Sequence, residues 1–249
     1  MGKSEFAKFG VNQPRFYRLW MKKENLFSFE AKVKETDLYI KASADLQKEA
    51  AESIKKHRRP IEDFIKSNPE FKKTLGPYPL SDDMPPIIKE IITATRKVEI
   101  GPMAAVAGAI AEYVGRDLLK KSEEVIVENG GDIFISVKRP IKIGIYAAAS
   151  PFTKTLSIKV EPEETPMGIC TSSGTVGPSL SFGSSDATIA LSKSTSLADA
   201  CATAIGNLIK DESDFSKALE YAKGVDGLCG VVLIKGQKIG AWGKVRFSR

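Results

Sequence analysis

The order of strand-like and helix-like segments is the feature that most constrains how this chain folds. Residues 27–42 alternate apolar and polar side chains around a turn at 34–37, which predicts a β-hairpin. Further strands are predicted over residues 15–19, 125–127, 133–137, 141–146, 155–160, 167–171, 187–191, 230–234 and 238–245, the last two as a hairpin. Helices are predicted over residues 45–56, 60–66, 87–94, 103–121, 196–209 and 215–223. Because strands and helices mix without regular βαβ alternation, we predict an α+β fold with antiparallel-rich sheets and packed helices.

The length and hydrophobic content of the chain set its general class. With 249 residues, of which 42% are hydrophobic, it can bury a substantial core, and we expect one domain over residues 1–249, with a two-lobed arrangement left open. The nearest approach to a membrane span, residues 100–111, is too short and too rich in Ala and Gly, so we expect a soluble protein without a membrane partner. Residues 1–6 lack the apolar core of a signal peptide, which predicts a cytoplasmic location.

The cysteines and the basic residues argue against several kinds of partner. Cys170, Cys201 and Cys229 are odd in number and widely spaced, so we expect free thiols rather than disulfides or a structural zinc site. The formal charge of +6 favours acidic or phosphorylated partners, although Lys and Arg are spread along the chain. The densest basic cluster, residues 55–59, falls toward the end of a predicted helix, and we interpret it as a solvated helix end rather than a nucleic-acid site.

Residues 194–207 combine a helix start with two oxygen-bearing side chains. Ser196 followed three residues later by Asp199 matches the acidic variant of a capping box, which predicts a helix beginning at Thr195 or Ser196 with Asp199 in its first turn. Thr203 lies four residues further on, so its hydroxyl can point to the same side as the Asp199 carboxylate. Two such oxygens form half of a magnesium site, which the phosphates of a nucleotide commonly complete. On local pattern alone, capping by Asp199 and a backbone bond from Thr203 are the simpler interpretation.

Two loops rich in glycine and serine are further candidates for ligand binding. The first consists of Asn129, Gly130, Gly131 and Asp132. Its glycines allow positive φ and close approach of an anion to the backbone, and a plain hairpin turn is the alternative. The second consists of Thr171, Ser172, Ser173 and Gly174. Its hydroxyl and amide groups suit a phosphate or the edge of a polar heterocycle, and ordinary loop chemistry is again the alternative.

Several well-known catalytic patterns do not occur in the chain. Neither the Rossmann glycine fingerprint nor the Walker phosphate-binding loop is present. The only histidine, His57, stands in a charged run, so a histidine-based triad or zinc site is not expected.

Taken in chain order, the candidate segments resemble a known family. Residues 127–133, residues 171–174 and residues 196–204 are similar, in order and approximate spacing, to the ApbE-like flavin transferases, which use FAD to attach FMN to a protein threonine. The likeness extends over about residues 101–240 and is greatest to a shorter branch of the family. It implies an ApbE-like fold and a magnesium ion held by Asp199 and Thr203 on the pyrophosphate of FAD. It also implies that both loops line the flavin nucleotide and that a protein acts as acceptor.

The chain differs from the family transferases in two segments. Those proteins carry a histidine followed by Asp-Pro between the serine loop and the metal helix, whereas residues 181–186 contain no histidine. Residues 103–108 stand where the family has Ala-Lys-Gly, which supplies a backbone metal ligand. These differences leave two hypotheses for the function.

The first hypothesis is a protein that binds a flavin or another nucleotide-like, pyrophosphate-containing ligand with Mg²⁺ and transfers FMN from FAD to a protein. Amides at the start of the 196–209 helix would help to hold the pyrophosphate, and Ser172 or Ser173 would position the substrate. The alternative is a non-flavin enzyme or an accessory protein of sulfur or cofactor metabolism that kept the fold. The Ala- and Gly-rich helix at residues 101–115 is compatible with a homodimer interface and equally with a place in the core.

Overall fold

The computed structural model describes residues 26–175 and 181–248. The helices are α1 (Gln47–Ser67), α2 (Glu70–Lys73), α3 (Pro86–Arg96), α4 (Val106–Leu118), α5 (Thr195–Asn207) and α6 (Phe215–Lys223). The strands are β1 (Phe27–Val33), β2 (Thr36–Ala42), β3 (Val125–Asn129), β4 (Asp132–Ser136), β5 (Ile141–Gly144), β6 (Ser157–Val160), β7 (Met167–Ser172), β8 (Ala187–Ser192), β9 (Leu228–Lys235), β10 (Lys238–Gly243) and β11 (Phe247–Ser248). The strand predicted at residues 15–19 lies outside the described residues.

The strands form two antiparallel sheets. The larger sheet has eight strands in the order β1-β2-β3-β4-β7-β8-β9-β10, and each neighbouring pair is antiparallel. The smaller sheet has three strands in the order β11-β6-β5, and they too are antiparallel. Together with the packed helices, this arrangement confirms the predicted α+β fold.

Both faces of the large sheet are covered, and each face has its own hydrophobic core. Since successive side chains of a strand point to opposite faces, Val127 and Phe134 contribute to the core beneath the helices, whereas Ile126 and Ile135 belong to the core beneath the small sheet. This is why β3 and β4 read as nearly continuous apolar runs rather than as alternating ones. The helices therefore lie on one side of the large sheet and the small sheet lies on the other.

The boundaries of several elements differ from the prediction. Helix α1 is one helix that continues through Pro60, not two helices, because Ala50, Ile54 and Ile61 keep one apolar face in the core on both sides of the proline. The predicted Ala-rich helix begins as a 3₁₀ turn, Pro102–Ala105, before α4. Strand β10 ends at Gly243, and β11, which was not predicted, leaves the terminal hairpin to pair with β6.

Helix α4 lies inside the molecule. It packs against α1, α5 and strands of the large sheet, and its small residues Gly108, Ala109 and Ala111 are buried. Of the two alternatives for this segment, its place in the core is the one that the structure displays. Within the described residues, no helix has the length and apolar character needed to cross a membrane.

Candidate functional site

The start of α5 is capped differently from the prediction. The N-cap is Ser194, whose side-chain oxygen accepts the amide hydrogen of Leu197. Ser196 is instead buried, and its hydroxyl donates to a carboxylate oxygen of Glu90 at 3.2 Å. Asp199 thus lies beyond the first turn, so the predicted capping box is wrong. Helix capping no longer accounts for Asp199.

The N-terminus of α5 is occupied by a carboxylate of the chain itself. The backbone N–H of Thr195 donates to Glu112 on α4 at 2.7 Å, and Arg116 donates two hydrogen bonds to the other carboxylate oxygen of Glu112, at 2.9 and 2.6 Å. Thr195 and Ser196 are fully buried. The Thr195 amide, which was expected to assist a pyrophosphate, is therefore already bonded to a carboxylate of the chain, and the Leu197 amide is bonded to the Ser194 hydroxyl.

One turn further along, Asp199 is buried beside a second carboxylate. Its carboxylate accepts the backbone N–H of Gly108 at 2.8 Å. A side chain at Gly108 would bring a Cβ within 2.8 Å of the Cβ of Asp199, so α4 and α5 approach closely here. Burial, and then the negative charge of Asp132, raise the pKa of Asp199 well above its usual range, against the opposing effect of the Gly108 hydrogen bond.

The pKa of the Cys170 thiol is influenced by both carboxylates. Burial raises the pKa of Cys170 on β7 well above its usual range, and the charges of Asp132 and Asp199 raise it further. Cys170 faces the helices, as its place in their core shows. Asp132 and Asp199 therefore both lie close enough to Cys170 to influence its pKa, on the side of β7 that faces the helices.

The loop of Asn129 to Asp132 is a tight hairpin turn between β3 and β4. Asn129 pairs with Asp132 across it, and Gly130 and Gly131 adopt φ values of 70° and 108° that favour glycine. The N–H of Gly131 donates to Glu128 at 3.0 Å. The hairpin alternative is thus the one observed, with Asn129 and Asp132 brought side by side.

Strand alternation directs both side chains of this turn toward the helices. Val127 and Phe134 face the helices, and Asn129 and Asp132 lie two residues from them along β3 and β4. Accordingly, the side-chain amide of Asn129 donates to the carbonyl oxygen of Ala107 on α4 at 3.0 Å. The segment at residues 103–108 therefore forms a wall of the candidate site.

The serine loop contributes its residues unequally. A Cβ at Gly131 would lie 3.8 Å from the Cβ of Thr171, so the two predicted loops adjoin. The hydroxyl of Ser172 lies 3.7 Å from the position of a Cβ at Gly206 on α5. Ser173 instead pairs with the hydroxyl of Thr175 at 3.3 Å. Thr171 thus lies next to the β3–β4 turn and Ser172 next to α5, whereas Ser173 bonds locally to Thr175.

Helix α5 carries a row of polar side chains at four-residue intervals, Asp199, Thr203 and Asn207. Thr203 is partly exposed. Asn207 was not among the predicted site residues, yet its side-chain oxygen accepts the N–H of Phe182 at 2.8 Å. Its spacing from Thr203 was the available signal. The row leads from the buried carboxylates to the loop at residues 181–186.

The donor set is small and consists of oxygen. No group of three or more His, Cys, Asp and Glu side chains suited to a metal occurs within residues 26–175 and 181–248. Asp132 and Asp199 supply two carboxylates, and Thr203 lies one turn from Asp199. Such a set fits a hard cation that takes part of its coordination from a bound phosphate, as Mg²⁺ commonly does.

The basic cluster and the histidine lie in helix α1 and bond to carboxylates of the chain. Lys56 and His57 both bond to Asp117 at 2.8 Å, and Arg58 contacts Glu35 and Glu62 at 2.6 and 2.8 Å. The interpretation of residues 55–59 as a solvated helix end is therefore wrong in position, because the cluster lies in the middle of α1 and the side chains of His57 and Arg58 are largely buried.

Sequence comparisons identify the family. The family model described as AbpE bacteria matches residues 18–233. A UPF0280 protein of Methanosarcina acetivorans is 41% identical over 216 residues, which cover 86% of this chain and 85% of the relative. A UPF0280 protein of Methanocaldococcus jannaschii is 37% identical over 233 residues, which cover 91% of this chain and 92% of the relative. The chain belongs to this ApbE-like family, as the resemblance predicted.

Solved structures of ApbE proteins share the fold. The apo form of the flavinyl transferase ApbE from Pseudomonas stutzeri aligns with a TM-score of 0.56 and 13% identity, covering 87% of this chain and 93% of that one. The ApbE protein from Thermotoga maritima aligns with a TM-score of 0.55 and 15% identity, covering 86% and 96%. At these identities the likeness shows the fold alone.

Proposed function

We propose that this protein binds a pyrophosphate-containing, nucleotide-like ligand together with Mg²⁺, and that FAD is the first ligand to test. The observation that carries the proposal is the buried pair Asp132 and Asp199. Like charges at this depth are unfavourable unless a proton or a cation accompanies them. A bound Mg²⁺ would compensate both charges.

In this proposal different residues would hold the cation and the nucleotide. Asp199 and Thr203 would hold the cation, as the family resemblance implies, and Asp132 would face it from the β3–β4 turn. Gly108 orients the Asp199 carboxylate through its N–H, at 2.8 Å. Asn129, Gly130, Gly131, Thr171, Ser172 and Gly174 would line the nucleotide. Ser173, which pairs with Thr175, is a weaker candidate.

Positive charge near the site also favours an anionic ligand. Lys210 donates to the carbonyl oxygen of Phe182, and Lys235 donates to the carbonyl oxygen of Ser184 at 2.7 Å. Both ammonium groups thus stand at the loop that Asn207 holds against α5. They would attract phosphate charge without displacing the cation from the carboxylates.

The reaction proposed for such a complex is transfer at the phosphoanhydride. The Mg²⁺ ion, when bound, would withdraw charge from the pyrophosphate oxygens. Asp199 and Thr203 would fix the position of the phosphates, and Ser172 would orient the substrate beside them. A protein hydroxyl is the proposed acceptor: its oxygen would bond to the FMN phosphorus as the phosphoanhydride bond of FAD breaks, AMP would leave, and the hydroxyl proton would pass to water.

Calorimetric titration tests this proposal. Mg²⁺ and FAD are added to the wild type and to Asp199→Asn, Asp132→Asn and, as the control, Asp63→Asn, whose side chain on α1 is 69% exposed. We expect Mg²⁺-dependent binding that weakens at least about tenfold in the two site variants and is unchanged in the control. Absence of FAD and inorganic pyrophosphate binding in the wild type would overturn the proposal.

The alternative, a non-flavin enzyme or accessory protein of sulfur or cofactor metabolism, rests on one observation. The chain's single histidine is engaged with Asp117 on α4, and the 181–186 loop contains none. Mass spectrometry of small molecules released from the purified protein separates the two proposals. A metal-dependent ligand without a nucleotide would favour the alternative.

A further inference from the structure

Phe182 is a large apolar side chain exposed beside the candidate site. Its exposed fraction is 52%. Single exposed hydrophobic residues are common on protein surfaces, and Phe247 on the small sheet is comparable at 42%. What distinguishes Phe182 is how firmly the chain fixes its backbone and what lies next to it.

The backbone of Phe182 is held from both sides. Its N–H donates to the side-chain oxygen of Asn207 at 2.8 Å, and its carbonyl oxygen accepts a hydrogen bond from the ammonium group of Lys210. The N–H of Ser184 donates to the carbonyl oxygen of Ile209 at 2.8 Å. The segment of residues 182–185, which we term the rim segment, is therefore fastened to the end of α5.

The rim segment is also wedged between α5 and the serine loop. A Cβ at Gly183 would lie 1.9 Å from the carbonyl oxygen of Gly206, so only glycine permits this approach to α5. On the other side, the N–H of Gly174 donates to the carbonyl oxygen of Ser185 at 2.9 Å. The same segment thus touches the helix that carries Asp199 and Thr203 and the loop that carries Ser172.

We propose that Phe182 is a specificity-determining residue whose ring stacks on a flat heteroaromatic ring of the ligand. The inference rests on the proposed function, since the pyrophosphate must lie at Asp132, Asp199 and Thr203. Asn207, which anchors Phe182, is one helical turn beyond Thr203, about 6 Å along the axis. A ring joined to the pyrophosphate through a sugar spans such a distance. A fixed aromatic residue stacks on a ring at low cost in conformational freedom.

The test compares ligands that contain or lack a ring. Binding of inorganic pyrophosphate, ADP and FAD, each with Mg²⁺, is measured by calorimetry for the wild type, Phe182→Ala and Phe182→Tyr. Phe247→Ala is the control, because it removes an equally exposed ring from another part of the molecule. Thermal unfolding verifies that each variant is folded.

We expect Phe182→Ala to weaken binding of ring-containing ligands about tenfold, while pyrophosphate binding, Phe182→Tyr and Phe247→Ala match the wild type. A loss with both ADP and FAD identifies the adenine as the stacked ring, and a loss with FAD alone identifies the flavin. If Phe182→Ala binds FAD and ADP as the wild type does, the inference is overturned while the proposed function stands. If the wild type binds none of the three ligands, both are overturned.

Discussion

Two pairs of buried or largely buried carboxyl groups adjoin helix α5, and their hydrogen-bond partners differ. The first pair is Glu90 and Glu112, and the second is Asp132 and Asp199. At the start of the helix, Glu112 receives two hydrogen bonds from Arg116 and one from the backbone of Thr195. The neighbouring Glu90 accepts a hydrogen bond from the hydroxyl of Ser196. Burial raises the pKa of Glu90, and the negative charge of Glu112 raises it further. This first pair is supplied with a cation by α4 itself.

One turn further on, the second pair consists of Asp132 and Asp199, both of which are buried. Burial and the charge of Asp132 raise the pKa of Asp199, and the opposing contribution is a single backbone hydrogen bond from Gly108. The first pair is therefore bonded to a cation of the chain, whereas the charged form of Asp199 is disfavoured by burial and by Asp132, a cost that the proposed Mg²⁺ would offset. The contrast separates a structural cluster from a candidate binding site, both of which adjoin helix α5.

The largest expected effect is on the first pair. Glu112→Ala leaves Arg116 and the Thr195 N–H without their partner, and we expect a loss of about 3 kcal/mol in the free energy of unfolding. Urea denaturation measures it. Glu220→Ala, which breaks the exposed pair with Lys223 on α6, is the control and should cost under about 0.5 kcal/mol. Equal losses in both variants would refute a structural role for Glu112.

The second pair should respond in the opposite direction. Asp199→Asn removes one buried charge. In buffer that contains a chelator, so that no Mg²⁺ is present, we expect it to raise the free energy of unfolding by about 1 kcal/mol near neutral pH. Because the folded pKa of Asp199 is raised, the wild type loses stability as pH rises from its ordinary value near 3.8 through the folded value. The gain should therefore grow with pH.

A double-variant cycle sharpens this prediction. The effects of Asp132→Asn and Asp199→Asn on the free energy of unfolding of the metal-free protein should not add, because the repulsion between the two carboxylates can be removed only once. Strictly additive effects would mean that the two carboxylates do not interact. Added Mg²⁺ should stabilise the wild type and have little effect on either variant.

The sequence predicts the strands and helix α5 but not the long-range contacts of the carboxyl groups beside that helix. Hydrophobic alternation and Ala-rich spacing locate most strands and helix α5, including its start at Thr195. The choice between Ser194 and Ser196 as the cap depends on Glu112, 83 residues away, and on Glu90, 106 residues away. Local pattern carries no information about such contacts, so the capping box was misplaced.

The same limit applies to the candidate site. Asp199, Thr203 and the two loops are conspicuous in sequence, and the family resemblance orders them. The contact of Gly108 with Asp199 joins residues 91 positions apart, and the bond of Phe182 to Asn207 depends on how the rim segment packs. Strand β11 was missed for a similar reason, because two residues gain a strand identity only by pairing with β6.

The smallest expected effect concerns another carboxylate, Asp117 on α4, which like Glu112 accepts hydrogen bonds from several donors. Burial lowers the pKa of its partner His57, outweighing the opposing effect of the Asp117 hydrogen bond and charge. Stability from neutral His57 is thus fully present above its ordinary pKa of 6.5 and declines as pH falls through the lowered folded value. Urea midpoints between pH 7 and 5 should fall slightly in the wild type and less in His57→Gln. Because His57 is the only histidine, no other imidazole contributes to that difference; a wild-type midpoint that rises on acidification would mean that attraction to Asp117 outweighs burial.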